Sequence, residues 1–221
     1  MDLSTPFAGT PLAHLAAGLV LGALHACDAD HVMTVTSFSR HGSAPARTWS
    51  WGLRWALGHA AAVIAAGVLL AALGLSFPLL LGAAAETLVA LVLCALGAWL
   101  LGAACRQAPR TLRRARADGA RGIGVYVVGA LHGLAGAAPV IALIPLARRI
   151  DPLGAGIYLG CFSLGVVLAM LAFATLLGRA NARAARHGPR LERTLNVLVG
   201  LGALLIGARI LFEVWHDAGA A

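Results

Sequence analysis

Two histidines, two carboxylates and a thiol fall within seven residues, His25-Ala26-Cys27-Asp28-Ala29-Asp30-His31, inside an otherwise apolar run. A charged side chain at the centre of a bilayer costs at least about 2.5–3.5 kcal/mol, so such residues are kept where they pair or perform a task. Each of these side chains can also ligate a divalent transition metal. Imidazole combined with carboxylate suits nickel, cobalt and zinc, and imidazole also fits copper. Magnesium prefers all-oxygen sites. On a straight helix His25, Asp28 and His31 share one stripe, and Asp30 points roughly 140° away from His25. A broken helix would instead gather His25, Asp30 and His31 and free backbone groups as further ligands. No proline lies between His25 and His31, which favours a continuous helix.

Further polar groups lie in other apolar runs. His59 and His132 are positioned to complete a shell around the first cluster. The predicted metal set is therefore His25, Asp28, Asp30, His31, His59 and His132. Cys27 and Cys161 read first as small buried hydrophobes. Together with Glu86 they are candidates for an orienting or proton-coupling role. His14, His41, His187 and His216 lie at ends or in loops and read as solvated.

These residues must be positioned by helices in a membrane. Of 221 residues, 60% are hydrophobic and 12% charged, about half the charged share of a soluble domain. Six apolar runs approach the ~20 residues a bilayer requires: Pro11–Val35, Trp51–Leu75, Leu79–Leu101, Gly122–Leu146, Leu153–Leu177 and Leu195–Phe212. Backbone groups in lipid must be satisfied internally, so the fold is all-α. The net charge is +8 and every basic residue is arginine. The arginines gather in the loops after runs one, three and five, which would place those loops in the cytoplasm of an inner membrane and both termini outside. No basic face accompanies a soluble fold, so nucleic acid is not an expected partner. The cysteines form no C-x-x-C pair and suggest no disulfide framework.

The chain also repeats. Gly22-Ala23-Leu24-His25 recurs as Gly129-Ala130-Leu131-His132. Leu57-Gly58-His59 is matched to Leu159-Gly160-Cys161, and Gly97–Ala103 to Gly202–Ala208. Three spans per half force the second half to run upside down, an arrangement common among secondary transporters. The expected organisation is one transmembrane domain over 1–221. It comprises a first half 1–105, an arginine-rich cytoplasmic loop 106–121 and a second half 122–221.

The seven-residue cluster resembles the H-x-x-x-x-D-H signature of the nickel/cobalt transporter family, with Leu24 where members typically carry arginine. Leu57-Gly58-His59 resembles that family's L-G-H-S motif, with Ala60 in place of serine. His132-Gly133-Leu134-Ala135-Gly136 is similar to the H-G-L-A-G motif of a shorter branch related to urease accessory membrane proteins. Typical family permeases have about eight spans, and their later acidic motif has no evident counterpart near Cys161-Phe162-Ser163. The resemblance implies secondary transport of Ni2+ or Co2+ as substrate, without a permanently bound cofactor and without enzymatic activity. It implies metal handling by His25, Asp30, His31 and His59. Two alternatives are a membrane accessory protein for urease or hydrogenase maturation and an intramembrane zinc hydrolase. No H-E-x-x-H motif supports the latter.

Overall fold

A computed structural model describes residues 11–40, 45–73, 75, 78–105, 121–136 and 152–220. Seven helices and no strand occur among the described residues: α1 (Pro11–His25), α2 (Ala29–Ser39), α3 (Pro45–Leu73), α4 (Leu79–Cys105), α5 (Arg121–Ala135), α6 (Pro152–Arg186) and α7 (Pro189–Ala220). Prolines start α1, α3, α6 and α7, and Pro78 precedes α4. Proline suits a first helical turn because it lacks only an N–H that would have no partner there. The segment 106–120, the stretch holding Arg148, Arg149 and Asp151, the latter part of the fourth predicted span, and His41 lie outside the described residues.

Among the described residues four helices are long and apolar enough to cross a membrane, within α3, α4, α6 and α7. α1 and α5 are shorter apolar helices. Only 17% of the apolar window of α7 is buried inside the protein, and Leu205, Phe212 and Trp215 face outward. Water would not tolerate so continuous an apolar surface, whereas lipid does. The chain is an all-α polytopic membrane protein.

The first predicted span is broken, the second of the two arrangements the sequence left open. α1 stops at His25. The N–H groups of Cys27 and Asp28 reach back only three residues, to the carbonyls of Leu24 and His25. Asp28 then turns to an extended backbone (φ −59°, ψ 143°) and starts α2 as its N-cap. Its side chain makes no cap bond and turns back to His25, while Asp30 in the first turn complements the helix dipole. The signal was thus the Asp28-Ala29-Asp30 triplet. The arginines between 179 and 193, expected in a loop, also fall on helices. α6 and α7, 35 and 32 residues long, meet in a tight turn at Gly188, whose φ of 103° suits glycine.

The inverted repeat is written in backbone contacts. A methyl group at Gly22 would overlap the Phe162 carbonyl oxygen, and one at Gly129 would overlap that of Trp55. Likewise Gly165 abuts the Leu19 carbonyl and Gly58 that of Tyr126. Every one of these counterparts is 107 residues apart, so α1 crosses α6 as α5 crosses α3. The equivalent helices α4 and α7 pass antiparallel, with Gly97 against Gly200 and Gly207 against Cys94 and Ala90. The middle match is therefore Leu164-Gly165-Val166, not Leu159-Gly160-Cys161, because a methyl at Gly160 would meet nothing within 4 Å among the described residues. In the third elements the reciprocal contacts Gly97–Leu204 and Gly200–Leu101 set the offset at 103 rather than 105. Only glycines held by a crossing backbone report the register, and letter matching in a glycine-rich chain cannot tell them from the rest.

Candidate metal centre

The break between α1 and α2 places both halves of the seven-residue cluster at one point. His25 ends α1, and Asp30 and His31 occupy the first turn of α2. His59 comes from the middle of α3. α5 approaches closely there, since a methyl at Gly133 would lie 2.6 Å from the His59 carbonyl oxygen. One ligand atom from each of His25, His31 and His59 falls within 4.8 Å of the others. Two atoms on opposite sides of one ion, each about 2.1 Å from it, would stand ~4.2 Å apart.

The hydrogen bonds aim these rings. His25 Nδ1 lies 2.8 Å from Asp28 Oδ2, and His31 Nδ1 lies 2.9 Å from Asp30 Oδ1. A carboxylate on Nδ1 fixes the proton there and leaves the Nε2 lone pair for a metal. His31 Nε2 stands 3.3 Å from His59 Nε2, close to the ~3.3 Å spanned by two nitrogens about 2.0 Å from one tetrahedral ion. Among the described residues His25 Nε2 is buried with no hydrogen-bond partner, a costly state that a ligand would relieve; His59 Nδ1, on the far side of its ring from His31, is likewise buried without one. Asp28 spends its carboxylate on His25 and makes no side-chain cap bond to α2.

His132 is buried 5.4 Å from His31 between ring centres, but both its nitrogens have other partners. Nδ1 donates to the Val128 carbonyl at 2.8 Å, and Nε2 accepts from Thr34 Oγ1 at 3.0 Å. It ties α5 to α2. Asp28 and Asp30 form a second, more open group with His31. Cys27 faces outward with its thiol toward the Ala23 carbonyl. Cys161 packs at Gly18, on the α1–α6 crossing, two turns of α1 before His25.

A cleft of 820 Å³ opens from the cluster. His25, Asp28, Asp30 and His31 line it together with Glu86, Glu213, His216 and Asp217. His216, expected only to be solvated, thus shares a cleft with the cluster. His187 does lie exposed, bonded to the Arg183 carbonyl.

Sequence reading did not single out Trp55 or Thr34, and noted Gly136 only as part of a motif. Trp55, fully buried, packs 5.0–5.4 Å from the rings of His31, His59 and His132. Thr34 follows His31 by three residues, a spacing that could have marked it. Gly136 stands against His25, where a methyl would lie 2.9 Å from Cε1 and 3.1 Å from Nε2. The repeat runs through the site as well: Phe162 packs on His25 as Trp55 packs on His132, again 107 residues apart. Position 166, the counterpart of His59, is valine, so the second half lacks that imidazole.

The fold and site define a polytopic helical membrane protein with a His/Asp cluster able to hold a metal ion at a broken helix. Comparison with protein-family profiles, curated proteins and solved structures finds no match for this chain.

Proposed function

We propose that this protein is a secondary transporter carrying Ni2+ or Co2+ across an inner membrane, in the direction of uptake, and that it is not an enzyme. The observation that carries this reading is the convergence of three imidazoles from His25, His31 and His59, two of them backed by carboxylates, in a membrane domain of inverted repeats. Imidazole nitrogens suit these ions. Transporter sites characteristically lie where broken helices meet between inverted halves.

The electrostatics agree with a cation. α1 and α5 both bring their C-terminal ends to the cluster, and a helix C-terminus carries partial negative charge. The positive N-terminus of α2 is offset by Asp28 and Asp30. We place the arginine-rich ends of α6 and α7 in the cytoplasm and both termini outside. The cleft, lined by the last turns of α7, then faces outward. An inside-negative potential favours entry of a doubly charged ion by about 4.6 kcal/mol per 100 mV.

The test is radiolabelled nickel flux into proteoliposomes, with metal content measured on the same preparations. Saturable flux that His31→Ala abolishes is the expected result. Stoichiometric metal binding without flux would favour a membrane accessory protein. Loss of neither binding nor flux in His31→Ala would refute the site.

A further inference from the structure

The other end of α2 is held by a polar assembly that the metal cluster does not use. Arg40, the C-cap of α2, spreads its guanidinium over two helices. Nε donates to Asn196 Oδ1 at 2.8 Å, Nη1 to Asn181 Oδ1 at 3.0 Å, and Nη2 to the Glu192 carbonyl at 2.8 Å. Asn181 Nδ2 in turn donates to Ser39 Oγ at 2.9 Å, and Ser39 Oγ to the Thr36 carbonyl at 2.6 Å. The planar guanidinium is built for such a fork, which a lysine cannot reproduce.

Between the cluster and this assembly runs a buried polar ridge. His31, Thr34, Ser37 and Arg40 are spaced by three and form one row winding along α2. His31, Thr34 and Ser37 are at most 2% exposed. Buried hydroxyl groups on a membrane helix are more costly than apolar ones unless they serve packing or passage. α2 is about 16 Å long, so the ridge leads from the cluster away from the cleft toward the arginine-rich end. The cleft gives access at one end of the site, and Arg40 closes the other.

We propose that Arg40 is the latch of an inner gate: it pins α2 to the α6–α7 hairpin, and its release opens the Thr34–Ser37 ridge as the route by which the ion leaves His31. The proposal rests on the transport reading for its purpose. Its structural content, a closed gate that Arg40 holds, can be tested separately.

The full-length protein is prepared with its four cysteines replaced by alanine and Ser37→Cys as reporter, then treated with a charged, membrane-impermeant thiol reagent. A second reporter, Ala203→Cys in the α4–α7 core, serves as control. With Arg40 present both thiols are expected to react slowly. Arg40→Ala is expected to speed labelling at position 37 at least tenfold, leave position 203 unchanged, and keep nickel affinity within about threefold. Arg40→Lys should fall between. An unchanged rate at position 37 overturns the proposal. So does a parallel rise at both positions, which would make Arg40 a general stabiliser of the fold. Should Arg40→Ala not accumulate, Asn181→Ala removes one of the three ties of Arg40, together with the bond to Ser39, and reads out the same difference. Failure to bind nickel with Arg40 intact would count against the transport reading, while the labelling rates would still judge the latch.

Discussion

His31 Nε2 and His59 Nε2 face each other at 3.3 Å across the junction of α2 and α3. The His31 proton is drawn to Nδ1 by Asp30, so the contact is either a single N–H···N bond or two lone pairs awaiting a shared ion. With His25 Nε2 beside them, removing one imidazole removes one of three close ligands. His59→Ala and His31→Ala should each lower nickel or cobalt affinity at least a hundredfold, as read by calorimetry on purified protein. Affinity within threefold of wild type for either variant would mean that the metal binds elsewhere.

Asp28 and Asp30 act on the rings through Nδ1. Partners of this kind typically contribute ten- to a hundredfold in metal affinity. Asp28→Asn and Asp30→Asn should therefore fall in that range, less severe than the histidine variants. Losses as large as those of His31→Ala would indicate direct ligation instead, through the more open Asp28–Asp30–His31 group.

His132 separates ligation from positioning. Both its nitrogens are engaged, with Val128 and Thr34, so His132→Ala should retain metal stoichiometry while lowering the melting temperature. Loss of bound metal at unchanged thermal stability would make it a ligand after all.

Gly136 sets the clearance beside His25. A methyl there must push the imidazole aside. Gly136→Ala should weaken nickel binding roughly tenfold and leave the helical circular-dichroism signal unchanged, since the atoms it would crowd belong to a side chain and the His132 carbonyl stays at an ordinary 3.4 Å. Unaltered affinity would show that His25 tolerates displacement.

The register of the repeat can be tested by paired substitutions. Gly22→Ala presses on a backbone carbonyl, so the two helices must separate at a cost of about 1–3 kcal/mol. Gly160→Ala meets nothing within 4 Å and gains up to about 1 kcal/mol of helix propensity. Melting in detergent should fall for the first and hold or rise for the second. Equal effects would invalidate the 107-residue correspondence.

By itself the sequence determined the class of protein and the chemistry on offer. Apolar runs of bilayer length leave helices as the only backbone solution, and His25, Asp28, Asp30, His31, His59 and His132 were legible because ionisable groups in such runs are costly. The tertiary structure decided how those groups are used. The break was signalled locally at Asp28, but the roles of His59 and His132 depended on which side chains of α2 packing brings to their ring nitrogens. Glycine letters could not show which residues are pinned by a crossing backbone, nor could an arginine count reveal that Arg40 bridges to Asn181 and Asn196. Hydrophobic length is a property summed along the chain, whereas ligand geometry arises only when distant segments are brought within hydrogen-bonding distance.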